Sequence, residues 1–202
     1  MAITLVQTGS GSTGTFAWTN TLGHLLIAIG RGPSTGSFSD GVNTWQSAIW
    51  QNNGSNGIGL WYAMNCAAGA RTITNTGFTV NQFVYLEYSG IVLSNALAQT
   101  HSATGSGTAY AAGAVTTTST NALIVGVVAN ETANSLTDTP SGGFTDRNSF
   151  AGNVFTADRV VSSIAAYSYG GSLSSSVTWE AAVAVFLPPV VSVQVSPFLV
   201  GL

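Results

Sequence analysis

The chain has 202 residues, of which 45% are hydrophobic and only 5% are charged, with a formal net charge of −3. Disordered chains combine low hydrophobicity with high charge, so this composition predicts a folded protein whose polar surface is built from Ser, Thr, Asn, Gln and Gly. The basic residues are four arginines and no lysine, too few to neutralise a series of phosphates, so neither nucleic acid nor an anionic membrane is expected as a partner.

Cysteine content and hydropathy restrict the possible sites and setting. Cys66 is the only cysteine, which excludes an intrachain disulfide and a cysteine-based zinc site. We expect it to be a small, semi-buried apolar residue. The longest unbroken apolar run, residues 181–187, is shorter than the roughly 18 residues that suggest a membrane span. The first residues lack the basic start and apolar core of a signal peptide, so standard secretion is not expected.

The first half of the chain predicts strands separated by turns. Residues 2–7 alternate weakly, and residues 22–29 form a near-continuous apolar run typical of a strand buried on both faces. Between them, residues 9–14 match the dinucleotide-binding fingerprint, but no helix start follows, so no cofactor is expected. The further predicted elements are a turn and strand over 40–45, a loop over 51–57, and strands over 58–64, 71–75 and 83–89.

The second half repeats the outline of the first. The apolar run at Leu123 stands 98 positions after the one at Leu25 (123 − 25), and Asp138 stands 98 positions after Asp40 (138 − 40). Phe144 corresponds to Trp45 after one inserted residue, so Trp45 is predicted to be core. The predicted strands of this half are 114–118, 123–129, 144–147, 160–167, 176–179 and 181–187. Because no segment shows helical spacing over three turns, the chain is predicted to be all-β.

Two architectures fit this repeated outline. We favour a jelly-roll-like antiparallel β-sandwich in which two pseudo-repeats, 3–95 and 96–188, form one domain over 1–189 and mix their strands within shared sheets. Two small separate sandwiches are the alternative. The junction over 94–113 contains neither a proline nor a charged linker, and interleaving is a standard way to manage exposed sheet edges.

Residues 190–202, the extended C-terminal tail, follow two prolines and are apolar and β-prone. Such a segment is an aggregation hazard unless something covers it. It either folds back on its own domain or, as we expect, augments a sheet or fills a groove on a neighbouring subunit. The residues expected to make this oligomer contact are Val191, Val193, Val195, Phe198, Leu199, Val200 and Leu202.

Four motifs carry a resemblance to a known family. They are Asn-x-Leu-Ile-Val-Gly-Val at 121–127, Asp-Gly-Val-Asn-Thr-Trp at 40–45, Leu-Trp-Tyr-Ala-x-Asn-x-Ala-Ala-Gly at 60–69 and Leu-Glu-Tyr-Ser-Gly-Ile at 86–91. Over residues 3–188, the chain resembles the jelly-roll, concanavalin-like modules of tailed-phage virion proteins and bacterial surface proteins. The resemblance implies a β-sandwich fold and a place in a virion or on a cell surface.

Side chains that could perform catalysis are sparse. The repeat offers Asp40 and Asp138 as a pair of carboxylates for glycoside hydrolysis, but capping of equivalent turns explains both. His24 and His101 stand 77 positions apart (101 − 24), without local support for a catalytic triad or a zinc site. We expect His24 to be a hydrogen-bonded strand residue, and no catalytic residue is assigned.

Calcium is the one metal considered. Asp138, Asp146, Asn148 and Asn153 could supply oxygen ligands, but this stretch lacks the acidic density of a calcium-binding loop. We therefore expect no metal and no cofactor.

Three aromatic residues are candidates for a glycan contact. Trp50, Trp61 and Tyr62 have no clear Trp or Tyr counterparts in the second half, so symmetric packing does not account for them. Exposed rings beside Asn and Gln amides suit sugar faces, because rings stack on C–H surfaces while amides bond hydroxyls. Packing is the alternative role.

Two functional hypotheses follow. The first is a non-enzymatic virion structural protein of a tailed phage, either a capsid decoration (cement) or a fibre subunit. It would assemble as a homo-oligomer, with a trimer expected, alongside other virion proteins of the extracellular particle. The alternative is a carbohydrate-binding module of a surface or tail protein that contacts host glycans.

Overall fold

The computed structural model describes residues 2–12, 14–78, 82–131 and 135–189. Within these ranges the chain forms β-strands and no helix, which confirms the all-β prediction. None of these residues belongs to a helix long and apolar enough to cross a membrane. The strands are β1 (Thr4–Gly11), β2 (Thr15–Asn20), β3 (Leu25–Gly32), β4 (Ser37–Ser39), β5 (Gln46–Asn52), β6 (Gly57–Ala63), β7 (Gly69–Thr76), β8 (Gln82–Ser89), β9 (Leu97–Thr116), β10 (Leu123–Asn130), β11 (Asp138–Pro140), β12 (Thr145–Phe150), β13 (Val154–Val160) and β14 (Ala166–Phe186).

The strands pair into three antiparallel sheets. The first sheet has the order β1-β8-β3-β6-β5, and the second has the order β2-β7-β4. The third has the order β11-β14-β10-β13-β12, with β9 also paired to β14. Each sheet therefore takes its strands from one half of the chain, and the expectation that the halves mix strands within shared sheets is wrong for the described residues. Each central strand is hydrogen-bonded on both sides by strands of its own half: β3 lies between β8 and β6, and β10 lies between β14 and β13. Neither central strand therefore has a free edge to which the other half could add a strand.

The central strand of the first sheet, β3, is apolar on both faces. Leu25, Ile27 and Ile29 point into a cluster between the first and third sheets. Leu26 and Ala28 point to the other side, into a cluster shared with the second sheet. All eight residues of β3 are buried, which confirms the prediction from its near-continuous apolar run, although the strand begins at Leu25 rather than at position 22.

The central strand of the third sheet, β10, is arranged in the same way. Leu123, Val125 and Val127 face the cluster between the large sheets, while Ile124 and Val128 face a cluster within the second half. The two halves thus contact each other through apolar side chains and not through paired strands. Whether residues 1–189 form one domain stays a prediction, which this shared cluster favours.

The long strands β9 and β14 differ most from the sequence prediction. Residues 94–113 were expected to be the junction between the two pseudo-repeats, but most of them belong to β9, which pairs with β14. Two positions of β9 leave no room for a side chain, because a Cβ at Gly105 would collide with the ring of Trp179, and one at Gly113 with the ring of His101. The strand predicted over 160–167 is also wrong, since residues 161–165 connect β13 to β14.

Candidate functional site

An apolar groove lies at one end of the first sheet, where the chain enters β3 and leaves β8. Its volume is about 700 Å³. The lining consists of residues 22–24, residues 89–94 and Pro189. Leu22 is 70% exposed on its rim and Leu93 is 55% exposed. Leu93 also lines an adjoining cavity of about 380 Å³. Val42, which is 58% exposed, is part of the lining of that cavity. Three large, exposed apolar side chains are therefore close together at this end of the molecule.

A tight turn displays Leu22. His24 N donates to Thr21 O at 3.4 Å, and Gly23 between them has a φ of +79°, a conformation that residues with a Cβ rarely adopt. Gly23 N donates to Cys66 O at 2.9 Å, and Cys66 N donates to His24 O at 3.1 Å. These backbone bonds fix both ends of the turn, so that Leu22 remains on the surface.

A buried carboxylate holds the same turn from the inside. Glu87 on β8 is fully buried and accepts hydrogen bonds from Thr21 N at 2.9 Å, from Trp18 Nε1 at 3.1 Å and from Gln7 Nε2. His24 Nδ1 lies 2.7 Å from Glu87 Oε1. Burial favours the neutral acid, but these four partners outweigh it and lower the pKa of Glu87 below its ordinary value. Glu87 therefore remains a carboxylate at neutral pH and ties β1, β2 and the turn to β8.

The groove has a mainly apolar lining, to which His24 contributes its titratable side chain. Among the described residues, neither its lining nor that of the adjoining cavity includes Asp, Glu, Lys or Arg. Exposed apolar surface that is contiguous over a few hundred Å² and rimmed by polar residues marks contacts with proteins or ligands. The groove is therefore suited to an apolar, uncharged partner rather than to a charged ligand.

The His24–Glu87 pair has a contact by which a carboxylate can orient a catalytic histidine. Within the described residues, however, His24 makes no side-chain hydrogen bond to a hydroxyl or thiol. The nearby Cys66 Sγ donates to Thr21 O at 3.0 Å, and burial raises the pKa of its thiol to about 11, the opposite of an activated nucleophile. The pair therefore positions the turn. Cys66 is fully buried rather than semi-buried, and His24 is hydrogen-bonded as predicted but precedes β3 by one residue.

The three aromatic residues named as glycan contacts do not form one exposed surface. Trp61 and Tyr62 are adjacent on β6, so their rings point to opposite faces of the sheet, and they are only 3% and 6% exposed. The Trp61 ring lies 5.3 Å from that of Phe78, and the Tyr62 ring lies 5.5 Å from that of Phe186. Trp50 is partly buried, 5.9 Å from Trp61. Their burial corresponds to the packing role, and glycan binding stays a prediction.

The two aspartates matched by the repeat have different roles. Asp40 Oδ1 accepts hydrogen bonds from Val42 N at 3.1 Å and Asn43 N at 2.8 Å, so it caps its turn as predicted. Asp138 instead begins β11 and accepts a hydrogen bond from Tyr110 Oη at 3.1 Å, so a turn-capping role is wrong for this residue. Burial raises the pKa of Asp138 to about 6.

Three of the four calcium candidates lie around one cavity. Asp138, Asp146 and Asn148 line a space of about 290 Å³, whereas Asn153 is not part of the described lining. Arg147 lines the same cavity, and its guanidinium contacts Asp158 at 2.7 Å. Within the described residues, no group of three or more His, Cys, Asp and Glu side chains could hold a metal ion.

A second polar cluster lies at the seam between the halves. Arg31, at the end of β3, donates to Gln82 Oε1 at 2.8 Å and to Glu131 O at 3.2 Å. Asn53 Nδ2 donates to Glu131 Oε1 at 2.5 Å and also to Glu180 Oε1. Burial and the charge of Glu131 raise the pKa of Glu180 to about 7, against the opposing effect of Arg31. Within the described part of the chain, Glu180 Oε2 and Arg31 Nε are both buried without a hydrogen-bond partner.

Sequence reasoning missed the groove and both polar clusters. Leu22 was placed inside a strand because it adjoins the apolar run, and Leu93 had no pattern around it. The signals that were present are Gly23 and the lone acidic residue Glu87 within an otherwise uncharged strand. The tail residues named for oligomer contact lie outside the described residues.

Comparison of the chain with models of known protein families, with curated proteins and with solved structures found no match. The resemblance to jelly-roll modules of virion and surface proteins thus depends on the motifs of this sequence alone.

Proposed function

We propose that this chain is a non-enzymatic structural protein of a tailed-phage virion that assembles as a homo-oligomer, as a capsid decoration or fibre subunit. The observation that carries the proposal is the apolar groove, with Leu22 and Leu93 exposed on its rim and Val42 in the adjoining cavity. A surface of this kind at one end of a folded chain is typical of a contact with another protein subunit.

The composition of the surface supports assembly. Charged residues are depleted from the cores of protein interfaces, because each one loses its hydration there. Only 5% of this chain is charged, and two of its seven acidic residues, Glu87 and Glu180, are fully buried. Extensive contact with other subunits would therefore desolvate few charges.

We also infer that the two halves are pseudo-repeats of one jelly-roll-like unit, as in the modules that the sequence resembles. When the strands of the second sheet and β11 are left aside, the remaining strands match in chain order, and the pairing β1-β8-β3-β6-β5 corresponds to β9-β14-β10-β13-β12. The registers agree as well. Leu25 pairs with Tyr88 and Leu123 with Phe186, so both partners are shifted by 98 positions (123 − 25 and 186 − 88).

The proposal is tested by the mass and the location of the native protein. Native mass spectrometry and light scattering of the full chain are expected to give a trimer of about 62 kDa (3 × 20.6 kDa). Gold-labelled antibodies against the purified protein are expected to mark intact phage particles in electron micrographs. A chain that remains monomeric up to about millimolar concentration, or particles that stay unlabelled, would contradict it.

A further inference from the structure

We propose that the apolar groove of one chain binds segment 190–202 of a second copy of the same chain. This inference rests on the proposed homo-oligomer and names the contact that would hold it together. The groove would be the receiving surface, and the apolar segment would be the part that each subunit contributes to its neighbour.

The chemistry of the two surfaces is complementary. Segment 190–202 contains no charged residue, and Val191, Val193 and Val195 alternate with Ser192, Gln194 and Ser196. In an extended chain this alternation puts the three valines on one face. The groove opposite is apolar, has no Asp, Glu, Lys or Arg in its described lining, and exposes Leu22 and Leu93. An apolar strand face can therefore be buried in this groove without removing any of these four residue types from water.

The path of the chain at the groove favours a neighbour over the same chain as the receiver. Leu187 is held by two backbone bonds, from Val92 N to Leu187 O at 3.1 Å and from Leu187 N to Ala96 O at 2.9 Å. Pro189 lines the groove. Because Leu187 and Pro188 each precede a proline, both are restricted to extended conformations, which disfavours an immediate reversal. Thirteen further residues in an extended conformation span roughly 43 Å, enough to reach an adjacent subunit.

Disulfide trapping tests which copy occupies the groove. Cys66 is fully buried and the pKa of its thiol is raised to about 11, so the native cysteine gives little background. Two full-length single variants, Leu93→Cys and Val193→Cys, are co-expressed, one with a distinguishing affinity tag, and oxidised under mild conditions. We expect a disulfide between positions 93 and 193 in a linked species of about 41 kDa (2 × 20.6 kDa), identified by mass spectrometry of the linked peptides.

The matched control places the cysteine at an exposed apolar position outside the groove instead of at position 93. Ile164 is 60% exposed in the connection between β13 and β14, outside the described lining of the groove. Ile164→Cys with Val193→Cys is expected to give less than a tenth of the linkage. The chain carrying both Leu93→Cys and Val193→Cys shows whether the link forms within one molecule. A link found only there, as a 20.6 kDa species, would overturn the proposal in favour of the segment's own chain.

Charge substitution provides a second test that does not depend on thiol chemistry. Leu22→Asp and Leu93→Asp are each expected to weaken self-association at least tenfold in light scattering, whereas Ile164→Asp leaves it unchanged. If the full chain forms oligomers but neither the 93–193 link nor the loss of association is seen, the groove inference fails while the proposed function stands. A full chain that is monomeric contradicts both.

Discussion

At the scale of single residues, Glu87 shows how a protein with few charges can use one of them. A lone carboxylate in an apolar sheet would be expected to take up a proton, because burial penalises its charged form. Here Thr21, Trp18, Gln7 and His24 surround it, and the balance of these effects lowers its pKa. The charge therefore persists at neutral pH and secures the turn that displays Leu22.

Replacing Glu87 by glutamine should be costly despite its similar shape. The Glu87→Gln amide presents an N–H₂ group to donors that need an acceptor, so we expect a loss of about 2–4 kcal/mol in the free energy of unfolding in urea at pH 7. The folded pKa lies below its ordinary value, so this contribution is present at neutral pH and is lost as the pH falls through the folded pKa.

The difference in the free energy of unfolding between the parent and Glu87→Gln should therefore become smaller as the pH is lowered. Asp40→Asn is the matched control, because its amide oxygen can still accept from Val42 N and Asn43 N, and Asn43 Nδ2, which loses Asp40 Oδ2 as its acceptor, lies in a partly exposed turn. It should cost less than about 1 kcal/mol. A Glu87→Gln loss below about 0.5 kcal/mol, or one that is equal at pH 7 and pH 3, would be inconsistent with an ionised, fully partnered carboxylate.

At the scale of elements, the sequence predicted those strands whose own residues form an apolar run. The apolar runs that were predicted to be buried strands correspond to β3 from Leu25 onward and to β10, and each of these strands is covered on both faces. β9 was missed because its Ala, Ser, Thr and Gly residues resemble a linker. Two of these residues, Gly105 and Gly113, are instead required by the rings of Trp179 and His101, which lie far from them in the sequence.

The candidate site was less predictable than the strands, because it depends on contacts between distant residues. Whether Leu22 is exposed is decided by Glu87 and Cys66, which lie more than 40 positions away and fix the turn. The repeat matched Asp138 to Asp40, but Asp138 lies within reach of Tyr110, which has no counterpart in the pattern. The sequence also could not reveal that the two halves pack against each other, or which faces of their sheets form the contact.

The seam between the halves predicts a pH dependence opposite to that of Glu87. The folded pKa of Glu180, about 7, lies above its ordinary value of 4.5, so its stabilising contribution is complete below about pH 4.5 and is lost as the pH rises through about 7. Glu180→Gln should remove this loss. We expect the variant to be more stable than the parent at pH 8, by up to about 3 kcal/mol, and nearly equal to it at pH 4.

The matched variant for this measurement is Asp138→Asn, in the second half and away from the seam cluster. The pKa of Asp138 is raised to about 6 by burial. The stability of Asp138→Asn should therefore begin to differ from that of the parent at a lower pH than the stability of Glu180→Gln does. Urea unfolding at half-unit steps between about pH 4 and pH 8 separates the two. A Glu180→Gln variant less stable than the parent at pH 8 would show that the charged carboxylate stabilises the seam.

At the scale of the whole molecule, the apolar cluster between the first and third sheets couples the two halves. It contains Leu25, Ile27 and Ile29 from β3, and Leu123 and Val125 from β10. No strand pairing crosses this boundary in the described parts of the chain. If the halves unfold together, the coupling must therefore come from apolar packing, supplemented by a few polar contacts at the seam.

This coupling is measurable because the tryptophans are unevenly distributed. Trp18, Trp45, Trp50 and Trp61 lie in the first half, and only Trp179 lies in the second. In a Trp179→Phe background, fluorescence therefore reports on the first half alone. Leu123→Ala in the second half should cost about 2–5 kcal/mol and shift the fluorescence transition to lower urea, together with the circular dichroism transition. Val160→Ala, at a site 45% exposed, should change the free energy of unfolding from either transition by no more than about 0.5 kcal/mol.

If Leu123→Ala moves the dichroism transition but leaves the fluorescence transition in place, the halves unfold independently and the central cluster is only a contact surface between two autonomous units.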